Sequence, residues 1–176
     1  MRVVETKNYN ATLDPDRDLK NILDYIEETN RGHLQSETKF KLSEQEEDRR
    51  IHALFFMMTS TKALNESQMK VLRGLSHINV IPLLSKSDTM TDKERSTFKE
   101  QFKAEIKSAK IDLFKFPENM IYREENKKFN QQIPFCVLGS MEFAETPRGQ
   151  VRARSYSYGV IESNSICVFF IIRHAL

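Results

Sequence analysis

The stretch NVIPLLSKSDTMT, residues 79–91, decides how this chain is read. Val80 to Leu84 carry no charge, and the run ends abruptly at Ser85-Lys86-Ser87-Asp88. A short apolar run bounded by turn residues fits a strand buried on both faces. Thr91 with Glu94 three residues later forms a capping box, so a helix opens directly after the turn. Strand, polar turn and helix in that order make half of a βαβ unit, and in sheets built that way ligands collect at the carboxyl ends of strands. Lys86-x-Asp88 stands at such an end. An aspartate placed there can read guanine, because its two oxygens accept the ring N–H and the exocyclic amine together, while a lysine stem lies across the base plane. Spacing alone leaves this open against an ordinary charged turn. A chain of this length shows Lys-x-Asp about once by accident, and Lys110-Ile111-Asp112 is a second copy.

On the N-terminal side, RVVE (2–5) reads as a short strand and residues 29–48 as an extended polar connection. Between them Leu19, Ile22, Leu23 and Ile26 fall at helical spacing. RRIHALFFMM (49–58) reads as a strand buried on both faces. NESQMKVLRGL (65–75) reads as a helix, with an Asn65/Gln68 capping box and an inner stripe of Met69, Leu72 and Leu75. Phe98, Phe102 and Ile106 line one face of the helix after Thr91, and a loop and a charged helical piece cover 111–130. IPFCVLGS (133–140) is a third buried strand, ending at Gly139-Ser140, while ICVFFIIRHAL (166–176) suits strand or helix equally. Buried strands alternating with amphipathic helices predict an α/β fold, a parallel sheet with helices on both faces.

The 176 residues suffice for one domain with a core. A net charge of +2 gives no bulk argument for nucleic acid or membrane binding. Cys136 and Cys167 both lie in apolar runs, as buried thiols do, and His33, His52, His77 and His174 show no metal-ligand spacing. No metal site is expected. His52, beside a strand, reads as a satisfied core histidine sooner than as a base. The apolar runs are short for a membrane span and the N-terminus resembles no signal peptide, so a soluble cytosolic protein is expected.

VRARSYSYG (151–159) places Arg152, Arg154, Tyr156 and Tyr158 on one face by period two. Cations interleaved with rings suit stacking on a base or on a partner's aromatics. A solvent-facing hairpin with cross-strand aromatic pairs explains them equally well. None of the five glycines is followed by lysine, and the 176 residues hold neither G-x-x-x-x-G-K-[ST] nor D-x-x-G. A base corner without that phosphate cradle binds nucleotide weakly and lacks the parts that hydrolysis needs.

In series these segments resemble the septins, the filament-forming branch of the P-loop GTPases. DRRIHALFFM is similar to the septin R-x-H-x-x-x-Y/F-F strand, and NVIPLLSKSDTMTDKE to N-x-I-P-x-I-A-K-A-D-x-L-T-x-x-E. IPFCVLGS resembles P-F-x-V-x-G-S, VRARSYSYG resembles V-R-G-R-x-Y-P-W-G of the septin unique element, and ICVFFIIRHAL resembles D-F-x-x-L-R-x-x-L. By position, the resemblance implies that Lys86 and Asp88 are the guanine-reading pair, that Gly139 meets the base edge and that Arg154 packs on the guanine. It places Tyr156 and Tyr158 at the nucleotide-side interface between subunits. Lys62, in TSTKAL, stands where septins carry a histidine that crosses that interface.

The departures from the family pattern are Ala153, Ser157 and Tyr158 for Gly, Pro and Trp, and VETKNYN (4–10) where septins read V-D-T-P-G-F/Y-G-D. The resemblance therefore implies a partial, divergent G domain over 1–176. It lacks the first strand, the P-loop, the first helix and switch I, with 1–140 the remnant of the nucleotide-binding core and 141–176 the septin unique element plus a C-terminal segment. RVVE is then left beside a gap or pairs anew with HALFFMM, and the chain alone is expected to be marginally stable. The expected role is a subunit or interaction module of septin filaments in cytokinesis, cortical scaffolding or fungal sporulation. The expected partners are other septin subunits, with no nucleic acid and only indirect membrane contact. GTP or GDP is held weakly if at all, and no GTP turnover is expected. The alternative is a GTP-binding, slowly hydrolysing septin whose P-loop half lies outside these residues; an α/β domain with no nucleotide is a third reading.

Overall fold

A computed structural model describes residues 2–7, 14–38, 48–59, 64–118, 121–140, 142–146 and 149–162. Lys62, Cys167, His174 and the ICVFFIIRHAL segment lie outside them. The chain divides into two compact units, residues 1–54 with 65–80 and residues 55–64 with 81–176.

The first unit carries helices α1 (Pro15–Thr38) and α2 (Glu66–Gly74). Leu19, Ile22 and Leu23 are half-buried and Ile26 is buried, the stripe the spacing predicts. The helix continues ten residues into the stretch expected to be extended. Polarity there hides local support. Arg31 pairs with Glu27 at 2.7 Å and His33 with Glu37 at 3.0 Å, both one turn apart, and polar residues so paired sustain a solvated helix. α2 starts at the Asn65/Gln68 capping box and buries Val71, Leu72 and the following Leu75; Met69 is half-buried. Gly74 has a packing reason: a Cβ there would sit 2.7 Å from Leu19 of α1. RVVE forms no strand. Val3 and Val4 are exposed, and no described strand offers residues 2–5 a ladder, without which a β-branched run stays irregular.

The three-stranded sheet runs in the order β1 (Leu54–Thr59), β2 (Val80–Ser85), β3 (Phe135–Cys136). β2 and β3 are parallel, with Leu83 opposite Phe135 and Leu84 opposite Cys136. β2 is buried at every position but its last. β1 corrects the expectation of burial on both faces: it ends the strand order, Phe56 and Met58 are buried, and Met57 is 52% exposed. An edge strand with one wet face alternates in this way. His52 is likewise no core histidine, since its side chain is 63% exposed beside Asp48.

In the second unit α3 (Asp92–Ser108) begins at the Thr91/Glu94 capping box and buries Phe98, Phe102 and Ile106. α4 (Arg123–Gln132) takes up only part of the charged 111–130 stretch. Its last carbonyls accept from Lys99 and Lys103, cations placed where the helix dipole favours them. Phe116 meets the rings of Phe114, Phe129 and Phe135, and Asn130 bonds its backbone on both sides. A second sheet is an antiparallel meander of β4 (Phe143–Thr146), β5 (Gly149–Tyr156) and β6 (Gly159–Glu162). Val151 and Ala153 of β5 are buried while Arg152 and Arg154 are exposed, the period-two split the sequence predicts.

Candidate functional site

The site is built around the end of β2. Ser85 donates its hydroxyl to Met58 O at 2.7 Å. Lys86 then takes a left-handed conformation, φ 52° and ψ 37°, which turns the chain into a single 3-10 turn, Ser87–Thr89. Ser87 is fully buried, and its Oγ donates to Val137 O at 3.0 Å beyond β3. Arg95 on α3 donates to Ser87 O at 3.2 Å and Met90 O at 2.8 Å, and it also pairs with Asp92. The turn is thus fastened to β3 on one side and α3 on the other, with Asp88 at its centre.

β5 covers that aspartate. Arg154 Nη1 lies 3.4 Å from Asp88 Oδ2, and the Tyr156 hydroxyl donates to the same oxygen. The Asp88 side chain has no exposed surface. Its other oxygen, Oδ1, is buried without a hydrogen-bond partner, the only such side-chain atom among the described residues. A buried carboxylate is stable only when its lone pairs are filled, so this half-filled state is costly. Donation to Asp88 holds the Tyr156 phenol above its ordinary range, with burial adding to the effect. The Arg154 guanidinium sits 5.5 Å from the Tyr156 ring centre, and the Tyr156 and Tyr158 rings stack 5.0 Å apart at 9°. Tyr158 is in the β5–β6 turn and 73% exposed.

Lys86 and Gly139 are both exposed. A Cβ on Gly139 would meet nothing within 4 Å, so packing does not demand glycine there. Next to it Ser140, buried, donates its Oγ to Ala153 O at 2.7 Å and ties the loop after β3 to β5. The fold therefore gathers Asp88, Arg154, Tyr156 and Tyr158 by direct contact, with Lys86 beside Asp88 in the chain and Gly139 one residue before the Ser140 link. By donor type the set fits a guanine edge: a buried acceptor without a partner, an unobstructed glycine, a lysine stem and a planar cation. Oδ2, the second acceptor that guanine requires, is held by β5 itself.

Sequence reading missed Arg95 and the Tyr156–Asp88 bond. Arg95 looks like one more helix-surface charge. The bond joins residues 68 positions apart and has no local signature. Ser140 was visible only as a polar strand end. Among the described residues no three His, Cys, Asp or Glu side chains gather as metal ligands, and no helix is long and apolar enough to cross a membrane.

The family model for septins matches residues 1–176. Septin-8-A of Danio rerio is 31% identical over 182 residues, covering all of this chain and 43% of that protein. Septin-2 of Drosophila melanogaster is 30% identical, also over all of this chain and 43% of its own. The chain thus spans less than half the length of these curated relatives. Among solved structures, the septin GTPase domain from Chlamydomonas reinhardtii superposes with a TM-score of 0.75 at 26% identity, covering 96% of this chain and 64% of that one. Cdc11 from Saccharomyces cerevisiae gives a TM-score of 0.62 at 25% identity, over 81% and 66%.

Proposed function

The chain belongs to the septin family, a family of GTP-binding cytoskeletal proteins, and on that premise we propose that it is a structural subunit or interaction module of septin assemblies without GTP turnover of its own. Lys86, Asp88, Gly139 and Arg154 are the residues that hold a guanine, weakly, and Lys62, Tyr156 and Tyr158 are the residues that meet a neighbouring subunit. Residues 1–140 act as part of a nucleotide-binding core and 141–176 as the unique element plus a C-terminal segment. The partners are other septins, the location is the cytoskeleton at the cell cortex, and the setting is cell division.

One observation carries this reading: the hairpin that presents Tyr158, 73% exposed and stacked on Tyr156, is the same one that reaches Asp88. An exposed Tyr158 stacked on a half-buried Tyr156 at a strand end is a contact surface, and rings of that kind anchor interfaces. The 176 residues contain no motif that cradles a β- or γ-phosphate, which supports a chain without turnover of its own. Purified chain incubated with GTP and magnesium is expected to release phosphate at the blank rate, and to co-sediment with septin filaments. Phosphate release above blank would refute the first half, and failure to co-sediment the second.

Coverage of 43% of the relatives' length favours a second reading, in which a phosphate-binding part outside these residues completes a GTP-binding, slowly hydrolysing septin. An in-frame G-x-x-x-x-G-K-[ST] preceded by a strand, upstream of Met1 in the genome, would select it.

A further inference from the structure

Asp88 is the only buried charged side chain among the described residues. Its two covering groups are not core residues: the Arg154 side chain is 45% exposed, and Tyr156 is half-buried at the last position of β5, beside the turn. Both can swing into water without unpacking the sheet. In the folded chain the Tyr156 ring supplies what a nucleobase supplies: a flat face that Arg154 and Tyr158 flank, and a hydrogen-bond donor aimed at the carboxylate.

We propose that Tyr156 gates the base corner: its phenol stands in for a guanine on Asp88, and a guanine nucleotide enters only by displacing it. The proposal rests on the reading of Lys86 and Asp88 as a base corner. Displacement exchanges one O–H donor on Oδ2 for two N–H donors, one on each oxygen, and so fills the lone pairs of Oδ1 that the chain itself leaves empty. The elevated phenol pKa agrees with a donated proton held by the carboxylate.

The test titrates GDP into the 176-residue chain by calorimetry, beside Tyr156→Phe, Tyr156→Leu, Asp88→Ala and, as a control on the outer face of α1, Tyr25→Phe. Phe keeps the stacked ring and removes only the competing donor. Tyr156→Phe is expected to bind about tenfold more tightly than the parent, the usual worth of a hydrogen bond to a charged group. Tyr25→Phe leaves affinity unchanged, Asp88→Ala abolishes binding, and Tyr156→Leu shifts affinity in the same direction as Tyr156→Phe. A structural role for Tyr156 predicts weaker binding on its removal, the opposite sign. Equal or weaker binding by Tyr156→Phe, with binding still dependent on Asp88, overturns the gate and leaves the base corner standing. Affinity that is negligible in every chain, or indifferent to Asp88→Ala, overturns the base-corner reading and the gate with it.

Discussion

Asp48 and Asp88 each meet an arginine, in regions built on opposite terms. Asp48 lies in a polar, exposed segment and takes both Nε and Nη2 of Arg50, at 3.0 and 2.7 Å, together with the Arg50 backbone N–H. His52 at 3.4 Å and His33 at 4.0 Å stand nearby. Hydrogen bonds from Arg50 hold its carboxyl well below the usual carboxylate range. Asp88 has fewer partners, and one of its oxygens has none. Yet Asp88 sits on a fastened turn and Asp48 does not. Water can replace every partner of Asp48, whereas nothing replaces those of Asp88 unless something enters. The number of bonds on a charge is therefore a poor guide to its importance; whether solvent can substitute for them is a better one.

The largest perturbation should come from the scaffold under Asp88. Leu84 is fully buried in β2 opposite Cys136, and Leu84→Ala is expected to cost about 2–5 kcal/mol in urea unfolding, as buried leucines do. A loss no larger than that of an exposed α1 position such as Leu34→Ala would show that the strand end is not a rigid platform. Ser87→Ala should come next, at about 1 kcal/mol, because it removes the buried hydroxyl that joins the turn to Val137. Unfolding measured against the parent chain checks this, and no change would mean that Arg95 and the Ser87 backbone N–H to Val137 O fix the turn without the hydroxyl.

Asp48→Asn should have the smallest effect. Its folded-state pKa is depressed, so the contribution of Asp48 is present above the ordinary carboxylate range and is lost as pH falls through the lowered folded value. At neutral pH solvent screens the pair, and the melting temperatures of parent and variant should coincide. Any small difference between the melts should lie at the neutral end and vanish at strongly acid pH, where the contribution of Asp48 is lost, with the variant the flatter. A clear drop at neutral pH would erase the contrast between the two aspartates.

The capping boxes at Asn65 and Thr91, the buried run of β2 and the alternation of β5 were all legible, since each is written in residues at most a few positions apart. α1 beyond Glu28 was not, because one-turn pairs such as Arg31–Glu27 leave no apolar stripe to detect. β1 was misjudged for a different reason: Phe55, Phe56, Met57 and Met58 are equally apolar, and only the strand order tells which of them face water. At the site, Lys86 and Asp88 were legible as the end of a strand. That Asp88 would be sealed by Tyr156 depends on how β5 lies over the turn, which no local pattern encodes.

Lys86 has a consequence for anyone who would stabilise this chain. It holds φ 52° in a region where a Cβ costs about 1–2 kcal/mol and glycine costs almost nothing. Optimising the turn for stability alone would install glycine there, and the lysine two residues before Asp88 would go with it. If Lys86 serves the proposed base corner, thermostability and recognition pull in opposite directions at this residue, and a design effort that scores only folding would remove that lysine while improving the fold.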